Sequence, residues 1–141
     1  MKKLTTVLFI LFQLATYAQE VVYTKIEEKD ITDEPPIYPG CEDQKISLRM
    51  DCLYEKIREH IKVNLNYPKE ALKKNIQGKV YVIFLINKEG VVTDVTAKGG
   101  HPILQKEAIR IISSLPKMTP ANQKGILVNV RETIPIIFRL Q

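Results

Sequence analysis

The 141-residue chain is poor in the groups that do chemistry. Its serines are Ser47, Ser113 and Ser114, and none sits in the G-x-S-x-G turn that exposes a nucleophile. It has two histidines. His60 stands mid-helix beside Glu59, and His101 precedes a proline at a helix start, so neither has the partner set of a general base. Glu55 and Glu59 share a helix face without an evident cleft. Gly99-Gly100 is too short a glycine run to cradle a phosphate. No dense Lys/Arg run is interleaved with aromatics, which argues against nucleic-acid binding. Repeats and low-complexity tracts are missing as well. These absences argue against an enzyme, and no catalytic, cofactor-binding or metal-binding residue is expected.

Apolar runs long enough to span a membrane are also lacking. Met1-Lys2-Lys3 is positive, Val7 to Phe12 is apolar, and the small residue Ala18 precedes Gln19-Glu20. That order describes a secretory signal, residues 1–18, cleaved after Ala18. A spanning helix needs about 20 apolar residues, and Gln13 and Thr16 interrupt this run. An uncleaved N-terminal anchor is the alternative. The remaining length suits one domain. We divide it into an acidic, proline-containing leader at 19–50 and a folded domain at 51–141.

Charge separates along the chain. Residues 19–43 carry eight acidic side chains against Lys25 and Lys29, a net of −6, whereas residues 44–141 carry 17 basic against eight acidic, a net of +9. The two cysteines, Cys41 and Cys52, are an even count in an exported chain and read as one disulfide. Closing so short a loop contributes roughly 3 kcal/mol in the chain-entropy model. A metal site would need further ligands at suitable spacing, and a redox pair would be Cys-x-x-Cys.

Hydrophobic periodicity sets the elements. Leu53, Ile57, Ile61 and Leu65 recur every four residues and predict a helix from Asp51 to Leu65. Pro68 breaks it and opens a short helix, Lys69 to Asn75. Lys79 to Ile86 is apolar on both faces, as in a central strand covered on two sides. Asn87-Lys88-Glu89-Gly90 is a hairpin loop, and Val91 to Ala97 is the returning strand. Pro102 opens a helix reaching about Ser114, with Leu104, Ala108, Ile111, Ile112 and Leu115 buried and Lys106, Glu107 and Arg110 facing water. Pro116 ends it. Ile126 to Leu140 reads as the last strand.

The ordered set Tyr67-Pro68, Ala71, Gly78, Asn87-Lys88-Glu89-Gly90, His101-Pro102, Glu107-Ala108, Leu115-Pro116, Thr119-Pro120 and Ile134-Pro135-Ile136 resembles the C-terminal domain of the TonB energy transducers. The upstream Cys41 and Cys52 resemble a Bacteroidota-type variant. The resemblance covers residues 67–140, with Met118 where many relatives have an aromatic. It implies an α+β fold: a three-stranded antiparallel sheet (β-β-α-β), helices packed on one face, and a preceding N-terminal helix. It also implies a periplasmic, non-enzymatic protein whose last strand lies at a sheet edge. There it would take up the TonB box of an outer-membrane receptor by strand addition and support energy-dependent transport. The pairing edge would be Val128, Asn129, Val130, Arg131, Glu132, Thr133, Ile134, Pro135, Ile136 and Ile137. Outward-facing Asn129, Arg131, Thr133 and Arg139 would tune specificity. An inner-membrane anchor would add motor proteins as partners. The alternative is a soluble periplasmic structural or homo-oligomeric protein, such as a homodimer through the same edge.

Overall fold

The computed structural model describes residues 34–141. The expected signal at 1–18, and the leader up to residue 33, lie outside the described residues. Helix α1, Ile46–Asn64, begins ahead of the expected Asp51. Its buried stripe, Leu53 and Ile57, starts only after two turns in which Ile46 and Leu48 stay about half exposed, so periodicity misses those turns. The helix ends where Leu65 turns extended, its N–H still donating to Ile61 O. Pro68 then serves as N-cap of a short helix α2, Lys69–Lys73, which buries Ala71.

Strand β1, Gly78–Ile86, lies between β2, Val92–Lys98, and the last strand in an antiparallel sheet. Val80, Val82, Phe84 and Ile86 are fully buried on one face. The sequence pattern predicts cover on both faces, and here the structure differs: Tyr81 is 44% exposed, with Ile83 and Leu85 half-buried. On that outer face Lys79 Nζ lies 5.7 Å from the centre of the Tyr81 ring. The β1–β2 pairing carries a bulge between Ile83 and Leu85, near Asp94 with its φ of 52°. In the hairpin turn, Asn87 Oδ1 accepts from the N–H groups of Glu89 and Val91 at 3.0 and 2.9 Å. Gly90 has φ of 80°, and a Cβ there would stand 1.7 Å from Met118 O. Met118 N donates to Gly90 O at 2.9 Å, so the turn is seated on the buried Met118 segment.

Helix α3, Pro102–Ser113, starts as its sequence predicts, with His101 Nδ1 accepting from Ile103 N at 3.1 Å. Beyond it come β3, Ala121–Gln123, β4, Ile126–Val128, and β5, Val130–Phe138. The pattern reads residues 126–140 as one strand. The structure divides it at Asn129, whose Oδ1 accepts from Lys88 N at 3.0 Å. Lys124 and Gly125, with φ of 51° and 81°, make the tight turn that lets β4 fold back on β3. Residues 34–41, leader-like in composition, belong to the fold. Glu34 and Asn122 exchange both backbone hydrogen bonds at 2.9 Å, and Ile37 and Thr119 exchange theirs at 3.0 Å. Pro35, Pro36, Tyr38 and Cys41 are buried, and Cys41 is disulfide-bonded to Cys52 of α1. The core joins Leu53 and Ile57 of α1, Leu104, Ala108, Ile111 and Ile112 of α3, and the inner faces of β1 and β5. Each large side chain so buried contributes about 1.5–3 kcal/mol.

Candidate functional site

The geometry of the edge follows from one residue. β5 pairs with β1 without a bulge from Ile86↔Val130 to Gly78↔Phe138, and Pro135 sits in that ladder opposite Tyr81. Proline has no N–H to give. An unbroken ladder therefore requires the Pro135 nitrogen to point away from β1, as prolines in edge strands do. Parity fixes the rest. Even-numbered residues from Val130 to Phe138 direct their N–H and C=O groups toward β1, and odd-numbered residues direct theirs outward. The side chains alternate with the same period: Glu132, Ile134, Ile136 and Phe138 are buried, whereas Arg131, Thr133, Pro135 and Ile137 are exposed. The sheet order β2-β1-β5 makes β5 an edge strand.

Of the expected edge residues Val128 to Ile137, only some thus present backbone groups to the open side. Arg131, Thr133 and Ile137 offer both donor and acceptor, and Pro135 offers its carbonyl alone. Val130, Ile134 and Ile136 face β1. Asn129 is exposed as expected, but its side-chain oxygen is occupied by Lys88 N. The solvent face beside the edge is basic, with Lys79, Lys98, Arg131 and Arg139 all exposed.

Glu132 is the surprise within β5. It is 5% exposed and accepts a 2.8 Å hydrogen bond from the Tyr54 hydroxyl of α1. Burial first, then the hydrogen bond and charge of Glu132, push the Tyr54 hydroxyl up to about 12. Tyr54 therefore remains a donor, and the N-terminal helix is tied to the inner side of the edge strand.

Glu107 departs from expectation in the same way: it is buried, not water-facing. Its carboxylate accepts from Asn66 N at 2.8 Å and from Arg110 Nε and Nη2 at 2.7 and 2.6 Å, while Arg110 Nη2 also donates to Asn64 O at 2.9 Å. Burial raises the Glu107 carboxyl, but the bonds from Arg110 and Asn66 outweigh it and hold the group below its ordinary range. The pair locks α3 to the α1–α2 connection. An open groove of about 790 Å³ lies beside it, lined by Leu65, Tyr67, Pro68, Ile103, Lys106 and Arg110 among others. Among the described residues, no group of three or more His, Cys, Asp or Glu is placed to hold a metal ion. No helix there is long and apolar enough to cross a membrane.

The other motif residues shape the scaffold. Tyr67 stacks edge-on against Phe138 at 5.8 Å and donates from its hydroxyl to Ile76 O. Pro102 occupies the first turn of α3, Leu115 is buried before Pro116, and Pro120 joins Thr119 to β3. Gly78 opens β1, and Gly90 makes the seated turn described above. Distant partners such as Tyr54 for Glu132, and Asn66 for Glu107, leave no local mark in sequence.

No curated protein matches the chain. Two solution structures of the Helicobacter pylori TonB C-terminal domain are similar to it. One is 31% identical with a TM-score of 0.50, covering 62% of this chain and 80% of that one. A shorter fragment is 31% identical with a TM-score of 0.46, covering 60% and 90%. The family model described as the Gram-negative bacterial TonB protein C-terminal matches residues 63–140. The chain belongs to the TonB C-terminal domain family.

Proposed function

We propose that the chain is an exported interaction module that pairs with the TonB box of an outer-membrane receptor by strand addition, in support of energy-dependent transport across the outer membrane. The observation that carries this reading is the side of β5 left open among the described residues, with backbone groups at Arg131, Thr133 and Ile137 turned outward beside a basic face. The family to which the chain belongs consists of periplasmic, non-enzymatic modules that interact with outer-membrane receptors. In this reading residues 1–18 are the signal, the leader begins at residue 19, and the binding domain expected at 51–141 takes in residues 34–50 as well. Were the first segment retained as an anchor, inner-membrane motor proteins would become partners too.

Self-pairing through the same edge is the competing use. A symmetric pair of copies would bring the missing donor of Pro135 into the seam twice and would double its arginines, whereas a receptor segment meets each once. Light scattering at high concentration tests this, and a stable dimer broken by Thr133→Pro would favour self-pairing. The direct test is cross-linking to receptors in the envelope. Thr133→Pro removes an outward donor and leaves the β1 ladder whole, so capture should fall at least about tenfold. Capture at the wild-type level would refute strand addition here. Val130→Pro is the wrong substitution for this purpose, since its N–H faces β1.

A further inference from the structure

The open side of β5 does not stop where β5 begins. Across the Lys124–Gly125 turn, Gln123 pairs with Ile126 and Ala121 with Val128. A two-residue turn of this type closes on a hydrogen-bonded pair. Ile126 and Val128 therefore direct their backbone groups to β3, and Leu127 directs its own away. Asn122 fits this parity, since it exchanges hydrogen bonds with Glu34 on the other side of β3. Even-numbered residues are again the inward ones, as in β5. β4 and β5 follow one another across the single residue Asn129, and among the described residues neither Leu127 nor the odd-numbered residues of β5 direct their backbone groups to a strand partner.

We propose that the N-terminal part of this run, Leu127 to Thr133, is the main pairing surface for the extended receptor segment, and that the disulfide-clipped residues Glu34–Cys41 hold it in place. The proposal rests on the strand-addition reading above. Pro135 is the reason for the location. It removes a donor from the middle of β5, so that Ile137 is isolated beyond it. Leu127, Arg131 and Thr133 instead each offer both donor and acceptor, with the single non-strand residue Asn129 separating Leu127 and Val128 from β5. Leu127 and its neighbour Ile126 are 47% and 68% exposed, an apolar end suited to a segment with an apolar side chain beside Leu127.

Support is what this extension would otherwise lack. β3 and β4 are three residues each and stand outside the main sheet, and an isolated two-stranded hairpin is marginal in water. The second side of β3 is taken by Glu34, and Thr119 is taken by Ile37. Buried Pro35, Pro36 and Tyr38 seat that segment, and the Cys41–Cys52 bond fixes its end to α1. Removing the bond should free the segment, then β3, then the Leu127 end of the edge.

The test uses the full chain, wild type against Cys41→Ser/Cys52→Ser. Amide exchange at Thr119, Asn122, Ile126 and Val128 should accelerate at least about tenfold, with Ile134 and Ile136 unchanged. Unchanged hairpin amides would overturn the clip, and so would a uniform acceleration of all amides, which marks a loss of global stability. Ile37→Pro, which removes the donor to Thr119 while keeping the disulfide, should accelerate the same hairpin amides. A photo-reactive side chain at Leu127 should capture the TonB box of a receptor at least about fivefold better than one at Ile137, and the cysteine variant should abolish that advantage. Equal or better capture from Ile137 in the wild type would overturn the extension. Capture from neither position would refute strand addition and the extension with it, while the exchange measurement would still decide the clip.

Discussion

Proline placed at Thr133 and at Ile134, neighbours in β5, should have opposite consequences. The Thr133 N–H points to the open side, so Thr133→Pro removes no bond within the domain. The side chain is exposed, and the cost should stay within about 1 kcal/mol. The Ile134 N–H faces Val82 in the ladder, and the side chain is 7% exposed. Ile134→Pro therefore deletes a ladder bond and leaves a buried carbonyl without its donor, a loss of about 1–3 kcal/mol beyond the side-chain change. Ile134→Ala removes the side chain but keeps the N–H, and Thr133→Ala is the matching reference. The proline-minus-alanine difference from urea unfolding should then be about 1–3 kcal/mol at 134 and near zero at 133. Equal differences at the two positions would refute the parity assigned to β5 and the location of its open side.

Three further expectations concern the scaffold. Tyr54→Phe leaves the buried Glu132 carboxylate without its hydroxyl donor and should lower stability by about 1–3 kcal/mol in the same assay. Gly90→Ala should cost at least about 3 kcal/mol, since the new Cβ meets Met118 O at 1.7 Å on a left-handed backbone; a wild-type midpoint would mean the turn is not seated there. Glu107 has its folded-state carboxyl held below the ordinary 4.5, so its contribution is complete above that pH and is lost as the pH falls below it. Glu107→Gln should lower stability at pH 7 by on the order of 1–2 kcal/mol, a figure kept small because Arg110 is half exposed, and should flatten the decline below pH 4.5. An unchanged acid limb in the variant would contradict that assignment.

How much of this was legible in the sequence depends on where each residue's partner lies. The four-residue repeat from Leu53 locates the body of α1, and His101-Pro102 marks the start of α3, because their signals are local. The edge character of the last strand follows from Pro135 alone. Its parity needed the register against β1, since either alternation looks acceptable until Pro135 is seen opposite Tyr81 in an unbroken ladder. Glu107 and Glu132 look like surface carboxylates, and their burial depends on a backbone N–H, an arginine and a tyrosine brought together by the fold. Residues 34–41 look like a leader because their pairing partners, Thr119 and Asn122, are far along the chain. The apolar outer face of β1 suggests a second covering layer, yet Tyr81 and its neighbours remain partly open.

The sheet has two edges, and they differ in what they can accept. β2 is bulged against β1 and carries Asp94 on a left-handed backbone, which interrupts the regular spacing that an added strand needs. β5 is straight in register and open. Among the described residues, growth of the sheet is therefore confined to one side, and the β2 edge offers an added strand no regular second site through which copies could propagate. The valency is one: a segment that pairs with β5 ends the assembly as a discrete one-to-one complex, and strand pairing alone does not build a fibre from this domain.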